Sequence, residues 1–286
     1  MDMDRFRVKP GATIDLSRYR PADTRPYVSK DEALDRLQKG IGRLIDLQQK
    51  LYAQDRWAVL LIFQGMDAAG KDGTIRHVMS GLNPLGTQVF SFRQPSAEDL
   101  DHDFLWRTFQ ALPERGRIGI FNRSHYEEAL VVRVHPEILA AQKIPASLVS
   151  KSIWRDRFED INAMEQYLSR NGVLIRKFFL HVSKAEQRRR LAERVDEPSK
   201  NWKFSSADLA ERAKWNAYQR AYEDVLSATS RKHAPWYVVP ADHKWFAHLL
   251  VAEIAIDALE SLDLKFPSVT AAQRAMLAEA RRQLRS

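Results

Sequence analysis

Behind Ser29-Lys-Asp-Glu, apolar residues recur at helical spacing: Ala33, Leu34, Leu37, Ile41, Leu44, Ile45 and Leu51. A capping serine before such a stripe predicts a helix start. Leu47 lies off the stripe. Next comes Trp57-Ala-Val-Leu-Leu-Ile-Phe63, an unbroken apolar run of strand length. Continuous rather than alternating hydrophobicity predicts a strand buried on both faces, as in a parallel sheet.

From there the pattern alternates. A helix is predicted from about Lys71, and strands over Thr87–Phe92, Arg117–Phe121, Val173–Val182 and Trp236–Val239. Between and after them, helices are predicted over 99–112 (ending at Pro113), 147–169 (ending at Asn171-Gly172), 184–195, 206–229, 243–262 and 269–284. Strands alternating with helices imply crossover connections and a parallel sheet covered on both faces. The fold class is therefore α/β, a five-stranded parallel sheet flanked by helices. Residues 1–30 hold several prolines and many charges with little periodicity and read as an extended arm. With no Pro-, Gly- or Ser-rich linker beyond it, residues 31–286 read as one domain.

Composition removes several classes. The 286 residues contain no cysteine, which excludes disulfides, thiolate metal sites and cysteine nucleophiles. The longest apolar runs, Ala58–Phe63 and Leu249–Ile256, are too short to span a membrane, and Met1–Lys9 lacks the apolar core of a signal peptide. A cytoplasmic protein with no membrane partner is expected. The net charge of +8 favours polyanions, without choosing between nucleic acid, nucleotide and polyphosphate.

The chemistry concentrates in Gly65-Met-Asp-Ala-Ala-Gly-Lys-Asp-Gly-Thr74, a G-x-x-x-x-G-K pattern directly after a predicted strand and before a predicted helix. This is the context a phosphate loop requires: glycines turn backbone N–H groups toward one point, and the helix N-terminus adds positive potential. Lys71 would neutralise the transferred phosphoryl group. Gly65, Ala68, Ala69, Gly70, Asp72, Gly73 and Thr74 are the expected anion-binding positions around it. Asp72 stands where a Ser or Thr hydroxyl usually holds Mg²⁺. Asp67, a carboxylate among phosphates, makes sense if a cation binds too, and is the expected metal ligand.

The third strand ends in Asn122-Arg123-Ser-His-Tyr-Glu127-Glu128. Asn122 occupies the position where phosphate-loop proteins often carry a carboxylate. Arg123 offers a planar fork for phosphate oxygens. Glu127 and Glu128 are candidates to hold a cation or accept a proton. Arg93 follows the second strand, at the sheet edge where ligands bind, and Arg133 follows the third-strand segment. Downstream, Lys184–Arg194 is arginine-rich and runs into a polar, Pro-broken stretch, with Arg190 and Arg194 on one helix face. A lid over about 184–206 is expected to close on the transition state. No histidine shows metal-ligand spacing, so a zinc site is not expected.

Together, the phosphate loop, Phe121-Asn-Arg-Ser-His-Tyr-Glu127 and Asn201-Trp-Lys-Phe-Ser205 resemble the polyphosphate kinase 2 family, in order and over about residues 30–262. The resemblance implies a thymidylate-kinase-like phosphate-loop kinase fold. It also implies Mg²⁺-dependent transfer (Mn²⁺ as a substitute) from inorganic polyphosphate to adenine or guanine nucleotides. It assigns Asp67, Lys71, Asn122 and Arg123 to the site, with Arg190 and Arg194 on the lid. Many members carry Asp where this chain has Asn122. That change, with Asn83-Pro-Leu-Gly86, resembles the branch accepting both nucleoside mono- and diphosphates. Members are commonly homo-oligomers, which sets the expectation of a dimer or tetramer.

Two rival readings remain at this stage. An ATP-dependent nucleotide kinase would share loop, lid and magnesium and differ in its donor. A non-enzymatic nucleic-acid-binding protein would use the positive charge and the seven tryptophans, but Trp57, Trp106, Trp154 and Trp215 sit in apolar patterns that favour a core role.

Overall fold

The computed structural model describes residues 1–27 and 29–285. Five parallel strands form the sheet: β1 (Ala58–Gln64), β2 (Thr87–Ser91), β3 (Ile118–Asn122), β4 (Val173–His181) and β5 (Trp236–Pro240), in the order β2-β3-β1-β4-β5. Every residue of β1 is buried, as its unbroken apolar run demands. By contrast, β2 is an edge strand with Val89 and Phe90 exposed, so burial on both faces fails there.

The helices are α1 (Lys30–Gln54), α2 (Lys71–Val78), α3 (Trp106–Gln110), α4 (Glu127–Val134), α5 (Pro136–Ala141) and α6 (Ile153–Arg170). They continue as α7 (Lys184–Asp196), α8 (Ser206–Ala213), α9 (Trp215–Thr229), α10 (Lys244–Glu260) and α11 (Ala271–Gln283). Helix α10 packs against β4 and β5, with α1 and α2 against it, while α4, α6 and α9 pack on one another and α6 lies on β4. Ser29 caps α1 by accepting from the Glu32 amide, as its sequence predicts. The α1 stripe is displaced, however. Leu47 is buried, and Leu34 is exposed.

Other boundaries also moved. The predicted helix over 99–112 resolves into a 3-10 turn at Asp99–Asp101 and the short α3, and that over 147–169 into a turn at Ala146–Leu148 and α6. The span 206–229 breaks at Lys214 into α8 and α9. The arm, read as extended, contains two 3-10 turns, Asp4–Phe6 and Leu16–Arg18, and is packed rather than loose. Phe6, Val8, Ile14 and Leu16 are buried, the Val8 amide donates to the Trp236 carbonyl, and those of Ile14 and Leu16 donate to side chains of α9. No described helix is long and apolar enough to cross a membrane.

This strand order fixes where a ligand binds. From β1 the chain passes over β3 to β2 and returns, whereas from β3 it crosses to β4 on the other side. The connections diverge between β1 and β3, and ligands occupy the crevice at the carboxyl ends of such a pair.

Candidate active site

At the carboxyl end of β1 the chain turns through Gly65 (φ +156°), Ala68 (φ 60°) and Gly70 (φ 105°) into α2. Glycine is required at position 65. An added Cβ would lie 2.9 Å from the Leu180 carbonyl oxygen of β4. Gly70 occupies the N-cap of α2 in the left-handed region, which costs a side-chain-bearing residue more. The first residue of the helix is Lys71. Its ammonium is buried and donates to the carbonyl oxygens of Gly65 (2.6 Å) and Met66 (3.2 Å), so the lysine is folded onto its own loop. Burial pulls its pKa down to about 8, and the nearby Arg123 guanidinium adds to the fall.

The end of β3 completes the crevice. Asn122 donates to Asp72 Oδ1 at 2.8 Å and so pins the first turn of α2. Arg123 holds a positive φ of 63°, a conformation rare outside glycine and concentrated at functional sites. That turn aims its guanidinium between two carboxylates, Asp67 Oδ1 at 2.6 Å and Glu127 Oε2 at 2.9 Å.

A cavity of about 600 Å³ opens over these groups. Asp67, Ala68, Gly70, Lys71, Asp72, Gly73, Arg93, Asn122, Arg123, Arg190 and Arg194 all line it, so the structure brings most of the expected set together. Gly65, Ala69 and Thr74 do not line it; they shape the loop from behind, Thr74 buried on α2. Glu127 lies behind Arg123 in a separate small pocket with Tyr218 and Tyr222. Glu128 is buried beside Arg107 and Arg157.

Arg133 is misplaced by the sequence reading. The turn after β3 enters α4 at once, which puts Arg133 six residues along the helix, roughly 9 Å from its start. There it pairs with Asp224 of α9 and sits over the Trp154 ring, outside the cavity.

Arg190 lines the cavity but has no donor left for a ligand. Its Nε donates to Glu186, Nη1 to the carbonyls of Ala68 and Ala69, and Nη2 to those of Ala241 and Asp242. Those five bonds use all five guanidinium hydrogens. Arg190 therefore ties the phosphate loop to the end of β5 in this structure. One turn further on, Arg194 pairs with Asp208 at 2.8 Å and keeps a cavity-facing position. Arg189 points away, held by Glu186 and Glu193.

Six basic lining residues escaped the sequence reading: Arg76 and His77 on α2, Lys244 and His248 on α10, and Lys200 and Lys203 beyond α7. The carboxyl-edge rule, applied to β5 as it was to β2, finds Lys244. In all, nine Lys or Arg and three acidic residues line the cavity. The stacked rings of His77 and His248, with centroids 4.3 Å apart, form part of the same wall.

A loop of main-chain amides at a helix N-terminus, a buried lysine and a strongly cationic cleft define a phosphate-loop phosphotransferase site on an α/β fold. The polyphosphate kinase 2 family model matches residues 27–267, and the chain belongs to that family. It is 55% identical to an ADP-polyphosphate phosphotransferase of Rhodopseudomonas palustris, over 98% of this chain and 97% of that protein. It is 43% identical to an AMP/ADP-polyphosphate phosphotransferase of Meiothermus ruber, over 97% of this chain and all of that one. Among solved structures, polyphosphate kinase 2 from Arthrobacter aurescens superposes with a TM-score of 0.86 at 38% identity, covering 95% of both chains.

Proposed function

We propose that this protein transfers the terminal phosphoryl group of inorganic polyphosphate to a nucleoside mono- or diphosphate, with AMP and ADP as acceptors. One observation carries the reading: nine cations against three acids in a single cleft, over an anion-binding loop. Such a cleft suits a polyanion held by charge rather than by shape. The names of the two curated relatives support ADP as acceptor twice and AMP once.

The step is an in-line displacement. An oxygen of the acceptor's terminal phosphate attacks the terminal phosphorus of the polymer, and the bridging P–O bond breaks toward the shortened chain. Phosphate acceptors are already ionised near neutral pH, so no strong general base is needed, and an uncharged Asn122 is tolerable. Lys71, with one N–H left after its two carbonyl bonds, offers a positive charge to the transferred group. Arg123 holds Asp67 in place, and Arg194, Lys200 and Lys203 face the polymer from the lid side.

The donor set fits magnesium. No cluster of three or more His, Asp or Glu able to hold a metal occurs among the described residues. Mg²⁺ is nonetheless commonly held by one or two carboxylates plus substrate phosphates. Asp67 has one oxygen on Arg123 and, among the described residues, no hydrogen-bond partner for its other, and Asp72 likewise has one oxygen on Asn122. These two would hold Mg²⁺ or Mn²⁺, which supplies charge neutralisation across phosphoryl oxygens when bound. A cytoplasmic homo-oligomer belongs to the same reading. The exposed Val89 and Phe90 of edge strand β2 support an assembly, which sedimentation velocity tests.

The test is an Mg²⁺-dependent assay with polyphosphate as donor and AMP or ADP as acceptor, run beside a nucleoside triphosphate donor. ADP from AMP and ATP from ADP with polyphosphate bear the proposal out. Transfer only from the nucleoside triphosphate contradicts it, and ATP without ADP narrows the acceptor to diphosphates.

A further inference from the structure

A second cavity, about 650 Å³, lies beneath the N-terminal arm, against His181 and Pro240 at the ends of β4 and β5 and Val238 within β5. It shares no lining residue with the catalytic cleft. Six Lys or Arg and three Asp line it, and the pairing among them is unequal. Arg5 and Arg25 both hold Asp23, at 2.5 and 2.8 Å. Arg18 holds Asp15 and Arg7 holds Asp4, each at 3.2 Å. That accounts for every aspartate, and Lys9 and Arg20 have no carboxylate partner among the described residues.

Surplus cations on a mobile tail mean little, because ordering them to meet a ligand offsets the attraction. Here the ordering is done by folding. The residues flanking Arg20 are tethered by their carbonyls: that of Tyr19 accepts from His181 Nε2 at 3.2 Å, and that of Pro21 accepts from the Asp242 amide at 3.0 Å. Lys9 follows Val8, which is fully buried and bonded to β5. Both free cations therefore project from fixed backbone beside one cavity, and preorganisation of this kind lowers the cost of binding.

We propose that this cavity is a second phosphate-anion site, for which Lys9 and Arg20 supply the charge, and that it takes a ligand bearing phosphoryl groups. A polyphosphate chain and the phosphates of a nucleotide share the required chemistry. The site does not depend on the phosphotransfer reading, and its test involves no turnover.

The experiment is amine-reactive footprinting of Lys9, read by mass spectrometry, with inorganic tripolyphosphate or ADP added at an ionic strength held constant with chloride. Lys9 labelling is expected to fall at least about threefold, equally in wild type and in Lys71→Ala. In Arg20→Ala the concentration giving half-protection is expected to rise about tenfold, the scale of one lost charge-assisted hydrogen bond. Protection by tripolyphosphate alone identifies the polymer as the ligand, and protection by ADP identifies the nucleotide. Unchanged labelling with both probes, or protection that Arg20→Ala leaves intact, overturns the proposal.

Discussion

Two lysines, both buried, sit in this molecule at opposite ends of the same problem. Lys177 of β4 has all three ammonium hydrogens engaged: Glu165 Oε2 at 2.6 Å, the Tyr126 hydroxyl at 2.8 Å and the Thr229 carbonyl at 2.8 Å. Burial pulls its pKa down, and the ionised Glu165 opposes the fall. Glu165 in turn is held below the ordinary carboxylate range by the Lys177 charge, against the pull of burial. Lys71 has two carbonyl partners, no carboxylate in contact among the described residues, and a cavity in front of it. Burial alone therefore does not mark a functional cation; a charge left with capacity to spare, in a cleft that shares its sign, does. Lys177 closes a polar network, whereas Lys71 keeps one N–H for the anion that the proposed transfer brings to the cleft.

Removing the structural member of the pair should cost most. Lys177→Met leaves Glu165 buried without a counter-charge, and a loss of about 3–5 kcal/mol in urea unfolding is expected. The Lys177→Met/Glu165→Leu double variant should recover most of it. A Lys177→Met protein as stable as wild type would erase the contrast.

Arg190 tests whether a residue lining the cleft acts as a brace. Arg190→Met strands the loop carbonyls of Ala68 and Ala69, and a loss of about 1–3 kcal/mol is expected, with weaker donor binding. A variant of unchanged stability that loses only turnover would return Arg190 to direct catalysis.

The pH profile sharpens the case for Lys71. Its charged form prevails below a pKa of about 8 in the free enzyme. Donor kcat/KM should therefore fall as pH rises through about 8. Stability moves the other way. The folded state releases the Lys71 proton before the unfolded chain does, so this group favours folding increasingly between about pH 8 and its ordinary lysine range. An alkaline limb absent up to pH 10 would contradict the assignment.

The smallest effect belongs to Arg133, an ion pair with Asp224 outside the cleft. Arg133→Ala should change turnover by less than about twofold and stability by at most about 1 kcal/mol.

The strands and the phosphate loop were legible in the sequence because each rests on local pattern. A seven-residue apolar run and a loop of fixed spacing need no partner to be recognised. Most of what failed depends on partners distant in sequence. Leu47 is buried because α10 and the turn at Pro84–Gly86 both cover α1, widening its apolar face beyond one stripe. Arg190 and Arg194 share a helix face, and spacing cannot tell which one finds backbone carbonyls at its tip and which an aspartate. Helices α4 and α5 were missed, since Glu127–Ala141 is interrupted by His135-Pro136 and carries no clear stripe. Lys244 follows β5 and was open to the edge rule, but the rest of the α10 wall was invisible, because His248 meets Arg76 and His77 only once the sheet is assembled.

The proposed transfer depends most on the single ammonium at the mouth of β1. Steady-state transfer from polyphosphate to ADP should be compared in wild type and Lys71→Ala, with circular dichroism confirming that both are folded. A loss of at least ~10²-fold in rate is predicted, on the scale of removing one preorganised charge stabiliser. Near-wild-type turnover by the folded variant would contradict it.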